Sequence, residues 1–284
     1  MSRPAQLLLI ALVYALGVAI AFAEGVALDI TELVVGLVAL LPVAASVHYA
    51  NEYADYWSDR LTSRTPFSGG SGALARRGLP RCLALSAAVA ALSAGALIAV
   101  VALSVGLLEP IAVPLAAVIA VFGWAYSVGP AFARHGLGEL DNAALGVLVL
   151  PLYGYAVASG QVRLDALLAC VPFALLVFAN LLATQWPDRR ADAAVGKNTV
   201  PTRWSPRRLR GLYLACVALA FGSLPVLEGT VLPLPVAWAS FLSLPLVLWG
   251  MAWFTRRRSP FPTVAAMVCL AVVQTGSWTF VALR

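Results

Sequence analysis

The feature that most restricts this chain is a series of nine long apolar runs. They lie near residues 7–23, 32–50, 82–104, 110–128, 140–159, 165–183, 211–227, 231–250 and 262–281. Each is close to the roughly 20 residues a helix needs to cross a bilayer. Hydrocarbon offers no water to unpaired backbone N–H and C=O groups, so runs of this length satisfy them internally as α-helices. Only 11% of the residues are charged, against about 25% in soluble domains. The expected fold is an all-α integral membrane protein, a bundle of nine transmembrane helices. The first run is as long as a full span and many like it follow, so it reads as a helix rather than a signal peptide. Pro42, Pro114, Pro151 and Pro172 fall inside runs and predict kinks.

Loop charges test this count. With the N-terminus cytoplasmic and the runs alternating, 17 of the 19 Lys and Arg fall inside, and only Arg163 and Arg284 fall outside. The positive-inside rule then favours nine spans in the cytoplasmic membrane, with the C-terminus outside. The basic residues are spread over short loops and form no tail, so nucleic acid is not an expected partner. Cys82, Cys170, Cys216 and Cys269 all lie in apolar runs without C-x-x-C spacing, which fits small buried hydrophobes. Two cytoplasmic loops are longer than the rest, at about 51–81 and 184–210. Neither has room for a soluble domain, so residues 1–284 are expected to form a single domain with two cytoplasmic cap loops. Long ordered loops are usually functional.

The acidic residues point to what these loops do. Seven are cytoplasmic: Glu52, Asp55, Asp59, Glu139, Asp141, Asp188 and Asp192. In "NEYADYWSDR", Asn51, Asp55 and Asp59 are spaced by four, which places them on one helix face. Asp188 and Asp192 repeat the spacing in the second long loop, as in an internal pseudo-repeat. Carboxylates at i, i+4 repel, and burial near hydrocarbon adds to that cost. Capping, or pairing with Arg60, Arg64, Arg189 and Arg190, is one way to offset it. A divalent cation is another. Oxygen ligands suit Mg²⁺, which binds through one or two carboxylates, waters and phosphate oxygens. Two facing Asp clusters would hold two such ions with a diphosphate between them. The following stretches, "RTPFSGGSG" and "VGKNT", supply Arg64, Lys197 and glycines able to form an anion-binding nest.

These residues resemble a known family. "NEYADYWSD" is similar to the first signature of the UbiA superfamily of intramembrane prenyltransferases, N-D-x-x-D-x-x-x-D. "DRRADAAVGKNT" resembles the second, D-x-x-x-D followed by G-K-x-T. The stretch from Tyr126 to Glu139 resembles the family's Y-S-x-x-P...G-x-G-E segment. The resemblance implies a polyprenyl diphosphate whose diphosphate sits on Mg²⁺, with Asn51, Asp55, Asp59, Asp188 and Asp192 as ligands. Its tail would lie in an apolar tunnel open to membrane lipid. Asp55, Asp188 and Tyr126 are expected to carry catalysis, and Lys197, Arg64 and Arg134 to meet the diphosphate. Glu52 departs from the signature, which has the shorter Asp at that position. The aromatic rings of Trp124, Tyr126, Tyr153, Tyr155, Phe173 and Phe178 are candidates to line the cavity, with ordinary packing as the blander reading. His48 fits a structural polar contact, His135 a solvated loop and Asp141 a helix N-cap.

By that resemblance the acceptor is lipophilic and aromatic, a quinone precursor such as a dihydroxynaphthoate. A glycerol phosphate lipid is the alternative. An ion-coupled transporter would place its acids near mid-span, where this chain has none. A phosphatidyltransferase would carry D-G-x-x-A-R, which is absent. A non-catalytic prenyl-lipid binder stays open.

Overall fold

Each apolar run closes its own backbone hydrogen bonds, and the result is all-helical. The computed structural model describes residues 3–62, 65–67 and 70–284. The long helices are α1 (Pro4–Ala23), α2 (Ile30–Ala54) and, after the short α3 (Tyr56–Leu61) and α4 (Ala73–Arg77), α5 (Cys82–Ser104). Then come α6 (Ala112–Ala125), the single turn α7 (Phe132–His135) and α8 (Gly138–Ala144). A π-helical turn at Leu145–Val149 joins α8 to α9 (Leu150–Ser159). α10 (Leu164–Ala169) and α11 (Val171–Gln185) lead to the short α12 (Arg189–Ala194) and α13 (Val200–Arg203). The chain ends with α14 (Pro206–Leu227), α15 (Leu234–Ser240), a 3₁₀ turn, α16 (Leu244–Trp253) and α17 (Phe261–Ala282).

Among the described residues, seven helical segments are long and apolar enough to cross a membrane. The fourth and sixth expected spans are occupied by shorter apolar helices, α6 and α11. One proline explains part of this. Pro172 stands at the start of α11, where a missing N–H is tolerated, and separates it from α10 at Cys170. Pro151 opens α9 directly after the π turn. Pro114 lies in the first turn of α6 and Pro42 sits within the continuous α2, so neither interrupts a helix.

Close helix approach depends on small residues, because lipid gives side chains no hydrophobic reason to associate. A Cβ at Gly17 of α1 would lie 1.7 Å from the Pro151 carbonyl oxygen, and one at Gly154 of α9 would lie 2.2 Å from that of Tyr14. The α1–α9 pair therefore packs backbone to backbone. Buried phenols tie α2 to it: the Tyr14 hydroxyl donates to Leu33 O at 2.9 Å and that of Tyr153 to Gly36 O at 2.8 Å. Tyr155 donates to Glu24, which also pairs with Arg163, so this end of the bundle is held by polar contacts. Tyr153, Tyr155 and Phe173 are all buried in the packed core.

Candidate functional site

The two Asp motifs occupy equivalent breaks. α2 runs through Asn51 and ends as the Asp55 N–H bonds Asn51 O, and the six-residue α3 then restarts. α11 ends near Trp186, and after Asp188 the six-residue α12 restarts. The short helices α3 and α12 pack against each other. The D-x-x-x-D spacing that recurs in the sequence is thus a recurring structural unit: long helix, break at an Asp, short helix carrying the second Asp.

Capping does not explain these carboxylates. Asp29, at the start of α2, accepts N–H bonds from Thr31 and Glu32 and behaves as a cap. Asp55 precedes α3 and Asp188 precedes α12, yet neither side chain caps its helix. Two of the nearby arginines turn to aromatic rings. Arg60 stacks over Tyr56 and Trp57, and Arg189 folds onto the Trp186 ring and its carbonyl.

What joins the two motifs is Lys197. Its Nζ lies 2.7 Å from Asp55 Oδ1 and 3.5 Å from Asp192 Oδ1. All three side chains are largely buried, at 12%, 18% and 10% exposure. The Lys197 N–H bonds Asp192 O, which closes the turn and aims the side chain back. Burial alone would lower the Lys197 pKa, but Asp55 and Asp192 outweigh it and hold the ammonium charged. Burial raises the Asp192 carboxyl despite Lys197. Burial, then the charges of Asp55 and Glu52, push Asp59 up to about 7. Lys197 and the carboxylates of both motifs are thus electrostatically coupled.

Other groups complete the surroundings. Ser127 donates to the Asn51 side-chain oxygen. The Tyr126 ring rests on Gly138, and its hydroxyl lies within electrostatic reach of Lys197, Asp55, Glu139 and Asp192. Glu139 is buried and accepts the Val200 N–H at 2.7 Å, anchoring the segment that carries Lys197. Glu52 accepts from Arg3 and from Ser71. Within the Gly/Ser-rich stretch, the Ser71 N–H and hydroxyl are thus taken by the protein's own carboxylate.

Asp55, Asp192, Lys197 and Tyr126 are brought together, with Asp59 and Asn51 a turn away along the first motif and Asp188 a turn before Asp192. Arg134 is exposed and takes part through its carbonyl, which accepts from Asn198 at 2.9 Å. Arg64 lies outside the described residues. Asp141 lies within α8, whose N-cap position is Leu137, so it is not the cap expected of it. Ser127 and the anchoring role of Glu139 went unread in the sequence, although both lie in the Tyr126–Glu139 segment. Arg3 has no local signal, being 49 residues from its partner.

Among the described residues, no three carboxylate, imidazole or thiol side chains already converge on one point. The donors are oxygens spread over two facing helix ends, and a lysine ammonium is drawn between them. That set fits a hard cation which completes its shell with water and ligand oxygens.

Residues 10–282 match the family model described as "UbiA prenyltransferase family". No curated protein sequence matches the chain. Among solved structures, the apo form of a UbiA homologue from Aeropyrum pernix K1 superposes with a TM-score of 0.75 at 18% identity, over 100% of both chains. A UbiA homologue from Archaeoglobus fulgidus bound to GPP and Mg²⁺ gives 0.72 at 16% identity, over 97% of each chain. A digeranylgeranylglyceryl phosphate synthase structure gives 0.65 at 14% identity, over 96% of this chain and 93% of that one.

Proposed function

The chain belongs to the UbiA prenyltransferase family, and from that premise we propose that it is an Mg²⁺-dependent membrane enzyme. It transfers a polyprenyl group from a polyprenyl diphosphate to a lipophilic aromatic acceptor of the quinone-precursor type and releases diphosphate. The observation that carries this reading is the Lys197 ammonium held between Asp55 of one motif and Asp192 of the other. The two motifs form one electronegative mouth, and it attracts a cation. Asn51, Asp55, Asp59, Asp188 and Asp192 would hold Mg²⁺, which when bound neutralises the charge that builds on the departing diphosphate.

The chain's own side chains supply the rest. Lys197 is a point charge for a phosphate oxygen once the carboxylates have another partner. Arg64 and the exposed Arg134 would add charge at the rim. The Tyr126 ring offers a π face to an allylic cation, and the packed helices below it exclude water. The α1–α9 contact and the Tyr14 and Tyr153 hydrogen bonds keep the far end closed.

Residues 1–284 act in this reading as one domain with nine crossings, the N-terminus and both cap loops, at about 51–81 and 184–210, cytoplasmic and the C-terminus outside. The charge distribution supports that orientation, as does the convergence of both motifs at one end of the bundle. Arg203, Arg207 and Arg208 are exposed near the second loop, so an anionic acceptor suits the rim. That observation also favours a second reading, in which the acceptor is a glycerol phosphate lipid.

The test is diphosphate release by the purified protein with geranylgeranyl diphosphate, with and without Mg²⁺, against aromatic and glycerol phosphate acceptors. Release that needs both Mg²⁺ and one acceptor class is expected. Binding without release on any acceptor would support a prenyl-lipid binder instead. Loss of Mg²⁺-dependent binding altogether would refute the reading and leave a transporter to test.

A further inference from the structure

Glu52 stands next to the first Asp motif, at the position where the chain departs from the family signature, and its side chain is only 2% exposed. A buried carboxylate must be compensated, and here both oxygens are. Oε1 accepts from Arg3 Nη2 at 2.9 Å and from the Ser71 N–H at 2.7 Å, while Oε2 accepts from the Ser71 hydroxyl at 2.6 Å. These donors come from the start of α1 and from the segment before α4, so Glu52 joins three parts of the chain.

Ser71 follows Gly70, and Gly70 lies against Asp59. A Cβ on Gly70 would fall 1.7 Å from Asp59 Oδ2, and the residue has φ +61°, so only glycine passes there without strain. Fixing Ser71 therefore fixes the backbone beside the Asp59 carboxylate. The Ser71 hydroxyl also accepts the Ala73 N–H at 3.1 Å, which starts α4 from the same point. An Asp at position 52 would be one methylene shorter than the group that makes these bonds.

We propose that Glu52 is a positioning residue and not a metal ligand: by clamping Ser71 and Arg3 it holds Gly70 against Asp59 and keeps that carboxylate set for the cation. The part concerning the cation rests on the function proposed above; the clamp itself does not.

The experiment pairs hydrogen exchange with Mg²⁺ titration in Glu52→Gln, Ser71→Ala and the double variant. A charge-assisted bond is lost in Glu52→Gln, so exchange at the Ser71 amide should speed up by about tenfold. The Mg²⁺ concentration for half-maximal geranylgeranyl diphosphate binding should rise several-fold in both single variants, and the double variant should be no worse than Glu52→Gln. The kcat at saturating Mg²⁺ should fall far less than in Asp55→Asn. Unchanged exchange at Ser71, additive single effects, or a collapse of kcat in Glu52→Gln with Ser71→Ala silent would overturn the proposal. Should Glu52→Gln fail to fold, the Mg²⁺ shift in Ser71→Ala decides. Should the wild type show no Mg²⁺-dependent binding, the proposed function fails, while the exchange data still decide the clamp.

Discussion

Replacing Lys197 with Met removes a charge and little else, since the chain length is kept and only the ammonium goes. In the structure that ammonium sits 2.7 Å from Asp55 and 3.5 Å from Asp192. Breaking a fully buried ion pair by removing one partner costs about 3–5 kcal/mol. Here the three side chains are 10–18% exposed, and solvent screening trims this to about 2–3 kcal/mol. At about 2–4 °C per kcal/mol for a chain of this size, the metal-free variant should melt about 5–10 °C below wild type. Mg²⁺ should then reverse the ranking of effects. In the wild type the cation must displace Lys197 from both carboxylates. In Lys197→Met that competitor is gone, so Mg²⁺ should raise the melting temperature more in the variant. Thermal unfolding of both proteins in detergent, metal-free and with Mg²⁺, measures each quantity. Equal Mg²⁺-induced shifts would refute the idea that Lys197 occupies a cation's place, as would a variant as stable as the wild type without metal.

Asp55→Asn and Asp188→Asn should each lower diphosphate release by at least about 100-fold, as expected when transition-state charge stabilisation is removed, with unchanged elution of the folded protein; wild-type rates in either would defeat the two-motif site. The Asp59 carboxyl, raised to about 7 without metal, takes up a proton on folding, so it stabilises the metal-free protein at low pH and this contribution is lost as pH rises through about 7. Mg²⁺ must expel that proton, so calorimetric titration should show tighter Mg²⁺ binding at pH 8 than at pH 6, with protons released. Gly17→Val should destabilise by more than about 3 kcal/mol, because the added Cβ meets the Pro151 carbonyl at 1.7 Å; an unchanged melting temperature would rule out the close α1–α9 contact. Tyr153→Phe, losing one bond to Gly36 O, should cost about 1 kcal/mol in the same assay and leave turnover intact.

Much of this protein was legible in one dimension. Hydrophobic runs of about 20 residues admit only helices, since lipid cannot satisfy a backbone. The distribution of Lys and Arg supplies an expected side for each loop. The spacing of Asn51, Asp55 and Asp59, and of Asp188 and Asp192, was readable because successive turns of a helix stack such positions on one face. The sequence could also show that these acids needed a partner. It could not show which one. That was decided by the packing of α3 on α12, which brings Lys197, from the second long loop, to Asp55 in the first. Arg189 and Arg60, nearer in sequence, turn instead to aromatic rings. The same holds for Glu52, whose partners lie 49 residues before it and 19 after. Local pattern encodes which face a side chain takes. Which charges meet depends on how separate helices end side by side, and only the tertiary structure sets that.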